Sequence, residues 1–262
     1  AFRGKYKGEN TGNFYAEEVG KCIRNLKKKN IPLAGMIVES IISCGGQIEL
    51  PEGFLQKSFE SVRAENGVCI IDEVQVGCGR VGKTFWGFQL HNVIPDMVTI
   101  GKPLGNGHPL AAVVCTQKIA EKFANGMEFF NTFGGNPVSC AIGSSVLKTI
   151  QQEGLQENAL QVGAFLKNEL RQLAQDFPVI GDVRGQGLFL GFELVDVKLS
   201  PLEAQTTYLI NRMKEFGILL SSDGPDHNVI KIKPPMVFSM ENAKEFLYYL
   251  RKVFAEDFMQ LN

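Results

Sequence analysis

Apolar residues recur at helical spacing early in the chain, at Ala16, Val19, Cys22, Ile23 and Leu26. This spacing predicts a helix, and a short apolar run over 34–38 then predicts a strand. The same order repeats, with a predicted helix over 51–66 and predicted strands over 68–72, 97–100 and 110–115. Strands that are apolar on both faces are typical of a mostly parallel sheet covered by helices, so the pattern predicts an α/β fold.

The pattern changes near Gly135, where long helical repeats replace strand-like runs. Helices are predicted over 135–152, 155–176 and 201–216, and strands over 188–194, 218–220 and 229–232. Ser239 is suited to cap a last helix, because its hydroxyl can accept a hydrogen bond from a free amide of the first turn. We therefore expect a large α/β domain over residues 1–160 and a small C-terminal α+β domain over 161–262.

The composition, 44% hydrophobic and 21% charged with a net charge of −1, is that of an ordinary globular protein and indicates no nucleic-acid partner. The six cysteines show no CxxC spacing, so we expect free thiols and no metal site. No apolar stretch approaches the roughly 18 residues that cross a bilayer. We expect a soluble intracellular protein, in the cytoplasm or the mitochondrial matrix, with no membrane partner.

A glycine-rich loop over 77–84 matches both the dinucleotide fingerprint and the phosphate-binding loop of nucleotide-hydrolysing enzymes. That interpretation requires a helix at the end of the loop, yet the next residues are aromatic and glycine-bearing. Asp72 and Glu73 at the end of the preceding strand would also repel a phosphate. We expect instead a sharply turning loop beside an active site.

Two residues follow predicted parallel strands and carry reactive side chains. Lys102 follows the strand over 97–100 and precedes a loop that contains proline, and Asp72 ends the strand over 68–72. Open parallel sheets bind ligands in the crevice beyond the carboxyl ends of their strands, so both side chains should face one crevice. A lysine that is held still can attack a carbonyl carbon, and an aspartate can keep a pyridine ring protonated.

Five ordered motifs carry a resemblance to class III aminotransferases: Asp72-Glu73-Val74-Gln75-Val76-Gly77, Gly79-Arg80-Val81-Gly82, Gly101-Lys102-Pro103 with Gly105-Asn106-Gly107, Asn131-Thr132-Phe133-Gly134-Gly135-Asn136-Pro137 and Arg184-Gly185-Gln186-Gly187. The resemblance covers essentially the whole chain. It implies a pyridoxal-phosphate-dependent transferase of fold type I, in which residues 1–160 are the C-terminal part of the large cofactor-binding domain. It also implies a homodimer with shared active sites.

The resemblance also implies roles for single residues. Lys102 would form the Schiff base with pyridoxal 5'-phosphate and shuttle a proton, and Asp72 would pair with the ring nitrogen. Val74 would pack on the ring, and Gln75 would reach its 3-hydroxyl oxygen. Thr132 would donate to the cofactor phosphate of the neighbouring subunit.

The resemblance further suggests that Arg184 grips a substrate carboxylate, with an inter-domain salt bridge as the structural alternative. Many members of the class carry an acid about where Cys44 stands, which masks this arginine. Without that acid, we expect Arg184 to remain uncompensated and open to a carboxylate or a phosphate.

The motifs over 39–47, 221–225 and 231–236 resemble the alanine–glyoxylate-aminotransferase-2-like branch, which includes ethanolamine-phosphate and 5-phosphohydroxylysine phospho-lyases. The resemblance therefore implies an enzyme that takes a small primary amine into an external aldimine and eliminates phosphate and ammonia from an O-phosphorylated amino compound. A transaminase that moves the amino group to pyruvate or glyoxylate is the alternative.

Members of the family are longer, and the sequence leads us to expect a missing stretch before Ala1 that holds the phosphate-binding loop and the stacking aromatic. An inactive fragment or a non-catalytic domain is therefore an alternative from a different class.

Overall fold

The computed structural model describes residues 2–260. Its helices are α1 Thr11–Lys28, α2 Phe54–Ala64, α3 Gln117–Phe123, α4 Pro137–Gln152, α5 Leu155–Asp176, α6 Glu203–Glu215 and α7 Met240–Phe254. Its strands are β1 Gly35–Glu39, β2 Ile41–Ile42, β3 Ile48–Glu49, β4 Val68–Asp72, β5 Met97–Ile100, β6 Ala112–Cys115, β7 Ile180–Gln186, β8 Phe189–Leu194, β9 Ser221–Asp223 and β10 Val229–Ile232. They form two four-stranded sheets and one short hairpin of β2 and β3.

The first sheet has the strand order β1-β4-β5-β6. Strands β1, β4 and β5 are parallel, and β6 runs antiparallel to β5 at the edge. Helices α1 and α2 cover the sheet through a core that contains Ile23, Leu55, Phe59 and Ile71. The predicted α/β fold with a mainly parallel sheet is confirmed.

The second sheet has the strand order β7-β8-β10-β9, and each neighbouring pair is antiparallel. Every residue of β8 is buried, and Phe192 and Leu194 belong to the core that α5, α6 and α7 cover. The predicted strand over 218–220 is wrong: the strand begins at Ser221, where pairing with β10 provides backbone partners. Strand β7 was not predicted, because glycines and charged residues interrupt its apolar pattern.

Helix ends follow the local sequence. Ser239 Oγ accepts a hydrogen bond of 3.2 Å from the backbone N–H of Asn242, and Asn242 Oδ1 accepts one of 3.1 Å from Ser239 N, so both side chains cap α7. Asn136 caps α4 in the same way, with Ser139 N donating at 3.0 Å. The predicted cap at Ser239 is confirmed.

The glycine-rich loop over 77–84 leads into a short 3-10 helix over Gly87–His91, and no α-helix starts at its end. Gly82 has a φ of 73°, and a Cβ there would lie 2.6 Å from the backbone of Leu160. The loop therefore packs its backbone on α5. A phosphate-binding helix terminus is not formed, which excludes the nucleotide-binding interpretation for this loop.

The boundary predicted between residues 160 and 161 falls inside α5, which packs against β7 and β8. The two-domain division stays a prediction. Within residues 2–260, no helix has the length and apolar composition needed to cross a membrane.

Candidate active site

The carboxyl ends of three parallel strands meet at one edge of the first sheet. Glu39 of β1 is in register with Asp72 of β4, and Asp72 is in register with Thr99 of β5. The backbone N–H of Glu73 donates to Thr99 O at 2.9 Å, which holds the strand ends together. Asp72 and Lys102 therefore lie at this edge of the sheet, as expected from the parallel topology.

Asp72 is half-buried, and its Oδ1 accepts a hydrogen bond of 2.8 Å from the backbone N–H of Val74. This bond fixes the carboxylate at the strand end. Beside it, Thr99 Oγ1 is buried and has no hydrogen-bond partner within residues 2–260. A buried hydroxyl without a hydrogen-bond partner costs free energy. A polar group of a bound ligand would supply the missing partner of Thr99 Oγ1.

Lys102 begins a 3-10 turn over Lys102–Leu104, and its φ is 24°. Residues other than glycine rarely adopt positive φ, and such strain is concentrated at functional sites. Lys102, Val74 and Thr99 line one cavity of about 1160 Å³. The structure therefore brings the predicted lysine and the predicted ring-packing valine to the same cavity.

The loop after Lys102 is anchored to α4. His108 Nε2 lies 2.7 Å from Ser139 Oγ, and Ser139 also belongs to the cap of that helix. His108 lines the cavity as well. This contact supports the interpretation of His108 as an anchor of the loop.

Glu73 is fully buried under the crevice. Its carboxylate accepts hydrogen bonds from Ser40 Oγ at 3.0 Å, from Gly87 N at 2.8 Å and from Phe88 N at 2.8 Å. Burial raises the pKa of Glu73 despite these three donors. Glu73 therefore braces the loop behind Asp72, a role that sequence reasoning missed because its partners come from distant segments.

Gln75 contacts a lysine that sequence reasoning did not single out for chemistry. Lys233 Nζ donates to Gln75 Oε1, and burial together with the positive charges of Arg80, Lys102 and Lys231 lowers the pKa of Lys233 to about 8. The charge of Lys102 thus acts on Lys233. In the sequence, Lys233 stood out only as part of the motif over 231–236 that resembles the alanine–glyoxylate-aminotransferase-2-like branch.

Arg184 does not line the cavity of Lys102. It lines a second cavity of about 750 Å³, and its Nη1 donates to Asp182 Oδ2 at 2.8 Å and to Glu193 Oε2 at 2.7 Å. Its Nε donates to Gly46 O at 2.7 Å. The expectation that Arg184 is uncompensated is wrong, because two carboxylates neutralise it. Its role in binding a substrate carboxylate stays a prediction that these contacts do not favour.

Thr132 is exposed and lies outside the residues that line the cavity, although its neighbour Asn131 lines it. The segment around Thr132 exposes large aromatic side chains, with Phe129, Phe130 and Phe133 between 74% and 80% exposed. The predicted contact of Thr132 with another subunit stays a prediction.

The mainly parallel sheet with a lysine and an aspartate at its carboxyl edge, followed by an antiparallel sheet, matches the fold class of solved aminotransferases. Solved structures support this class: a phospholyase from Arthrobacter in complex with phosphoethanolamine superposes with a TM-score of 0.90 at 40% identity, covering 92% of this chain and 58% of that chain.

The chain belongs to the class III aminotransferase family, whose model matches residues 4–254. It is similar to alanine–glyoxylate aminotransferase 2-like of Drosophila melanogaster, at 49% identity over 94% of this chain and 51% of that protein. It is also similar to ethanolamine-phosphate phospho-lyase homolog 1 of Caenorhabditis elegans, at 40% identity over 92% of this chain and 53% of that protein. The chain thus spans about half the length of these relatives.

Proposed function

We propose that this chain binds pyridoxal 5'-phosphate in the crevice of Lys102 and Asp72. The family is pyridoxal-phosphate-dependent, and the crevice offers the groups that such a cofactor needs: an amine at Lys102, a carboxylate at Asp72, and an apolar face at Val74. The unpartnered hydroxyl of Thr99 and the strained backbone of Lys102 support a ligand at this place.

When bound, pyridoxal phosphate supplies a protonated ring that stores the electron pair left by a broken C–H bond. Lys102 Nζ would hold the cofactor and would take the proton from the substrate carbon. Asp72 would keep a proton on the ring nitrogen, and the hydrogen bond from Val74 N orients its carboxylate. Gln75 would donate to the ring hydroxyl oxygen.

The proposed reaction is phosphate elimination from an O-phosphorylated amine. Once Lys102 Nζ has removed the proton from the carbon beside the nitrogen, the electron pair of that C–H bond would form a double bond to the next carbon, and phosphate would leave that carbon with the electron pair of the C–O bond. The enamine so formed would take a proton back at this carbon, and water would then replace the nitrogen to give an aldehyde and ammonia. The similarity to the Arthrobacter phospholyase and to the phospho-lyase homolog supports this reaction.

Amino transfer to a keto acid is the second candidate, and the similarity to alanine–glyoxylate aminotransferase 2-like supports it. The same residues serve both reactions, because they differ only in whether phosphate leaves or a proton returns. Phosphate and ammonia release from phosphoethanolamine, measured beside amino transfer to pyruvate or glyoxylate, distinguishes the two. Keto-acid-dependent transfer without phosphate release would reject the lyase.

We also propose that the complete protein is a homodimer whose subunits share active sites. The exposed aromatic side chains around Thr132 support this, because apolar surfaces of this kind are typical of protein interfaces. Thr132 would then donate to the cofactor phosphate of the partner subunit.

Cofactor binding is tested by colour. The full-length protein purified with pyridoxal phosphate should show a visible absorption band, and Lys102→Ala should lose the band of the bound form while keeping its fold by circular dichroism. Lys118→Ala, on exposed α3, is the matched control and should keep the band. A colourless full-length protein would instead support the non-catalytic alternative.

A further inference from the structure

Positive charges gather beside the crevice without acidic partners. Within residues 2–260, Lys233 Nζ has Gln75 Oε1 as its hydrogen-bond acceptor and forms no ion pair. Arg80 donates its Nη1 only to backbone carbonyls, Leu188 O at 3.0 Å and Pro234 O at 2.8 Å. Burial lowers the pKa of Arg80 to about 10, which still leaves it charged at neutral pH. The field at Lys233 is therefore strongly positive.

A neighbouring lysine provides a comparison. Lys231 lies on β10, and Lys233 directly follows Ile232, the last residue of that strand. Lys231 Nζ lies 2.9 Å from Asp223 Oδ2 and is neutralised by it. Within the part of the chain that the structure describes, Lys233 is half-buried and forms no ion pair. Lys231 and Arg184 each pair with an acid, so the fold supplies acids to other cations.

We propose that Lys233 binds the phosphate group of the substrate and makes the site selective for O-phosphorylated amines, an inference that rests on the proposed function. Gln75, its acceptor, is the residue proposed to hold the ring hydroxyl. Gln75 directly follows Val74, which lines the cavity of Lys102, so Lys233 Nζ lies beside that cavity. Lys233 itself lines a neighbouring cavity of about 450 Å³.

The chemistry of Lys233 suits a phosphate. Its ammonium is a compact charge with rotatable donors, and partial burial strengthens its attraction to a dianion. The positive charges of Arg80 and Lys102 oppose protonation of Lys233, and a bound phosphate would reverse that effect. Lys233 directly follows β10, which pairs with β8 and β9 on its two sides. A plain amine would gain nothing from this charge.

The test compares two amines on the full-length holoenzyme by titrating the change of its visible band. Lys233→Met should weaken the binding of O-phosphoethanolamine by roughly tenfold or more, the loss typical of a hydrogen bond to a charged group. It should leave the binding of ethanolamine, which lacks the phosphate, almost unchanged. Lys233→Arg should restore part of the lost affinity, and the matched control Lys231→Met should have a clearly smaller effect.

Equal loss for both amines would overturn the proposal, because it would make Lys233 a residue that only positions Gln75. Unchanged affinity of Lys233→Met for phosphoethanolamine, or a wild type that does not prefer it over ethanolamine, would overturn it too. Failure of the proposed elimination gives a different result: phosphoethanolamine would bind without releasing phosphate, and the two affinities would still decide the role of Lys233.

Discussion

Glu193 is almost completely buried in β8, where it accepts hydrogen bonds from Arg3 Nε and from Arg184 Nη1. Burial alone would raise the pKa of Glu193, but the hydrogen bonds from Arg3 and Arg184 lower it below its ordinary value. Since the pKa is depressed in the folded state, the carboxylate stabilises the fold above the unfolded-state pKa. That contribution is lost as the pH falls through the folded-state pKa.

We predict that Glu193→Gln lowers the free energy of unfolding at pH 7 by about 3 kcal/mol, because the change breaks a buried ion pair. The difference from wild type should shrink as the pH falls below 4.5, the ordinary value for the group. Urea unfolding at a series of pH values measures this. Glu60→Gln, on the exposed face of α2, should have little effect at any pH, and a pH-independent loss at Glu193 would contradict the electrostatic explanation.

At the level of elements, α5 packs very closely on the backbone of the second sheet. A Cβ on Gly163 would lie 2.2 Å from the carbonyl oxygen of Gly187, in the turn between β7 and β8. The helix can approach this turn only because residue 163 lacks a side chain. Gly20 in α1 is different, since a Cβ there would first meet the flexible end of Arg24 at 3.3 Å.

These two glycines give opposite predictions for the same substitution. Gly163→Ala should lower the free energy of unfolding by roughly 1–3 kcal/mol, because α5 must move away from the turn. Gly20→Ala should raise it by about 0.5–1 kcal/mol, since alanine has the higher helix propensity. Thermal or urea unfolding of both variants measures the contrast. Stabilisation by both substitutions would show that the turn at Gly187 yields easily.

At the scale of the whole molecule, hydrogen bonds of Glu49 and Arg80 connect the regions that contain the two sheets. Glu49 accepts hydrogen bonds from Gly185 N at 2.7 Å and from Lys167 Nζ at 2.8 Å, and Arg80 O accepts one of 3.0 Å from Leu188 N. Arg80 Nη1 also donates to Pro234 O at 2.8 Å, next to Lys233. We propose that the exposed aromatic side chains around Thr132 contact a partner subunit.

The proposed homodimer predicts that Phe130→Ser combined with Phe133→Ser shifts the full-length protein from dimer to monomer in sedimentation velocity experiments. Both side chains are at least 75% exposed, and burial of large aromatics stabilises interfaces. Leu219→Ser, which changes an 81% exposed apolar residue elsewhere, should keep the dimer. A wild type that sediments as a monomer would reject the proposal.

The amino-acid sequence by itself determined the local elements and the position of the chemistry along them. The apolar runs predicted β4 and β5, and the strand ends identified Asp72 and Lys102, because side-chain periodicity and strand termini are local properties. The predicted strand over 218–220 was wrong and β7 was missed, since pairing across a sheet selects such strands more than their own residues do.

Only the tertiary structure decided which charges are paired. Asp182 and Glu193 neutralise Arg184 because the pairing of β7 with β8 brings them together. Lys231 forms an ion pair with Asp223, whereas Lys233 forms none within residues 2–260, although the two lysines are two residues apart in the sequence. The attraction between charges depends on distance and burial, which arise when distant strands meet, and no local pattern contains that information.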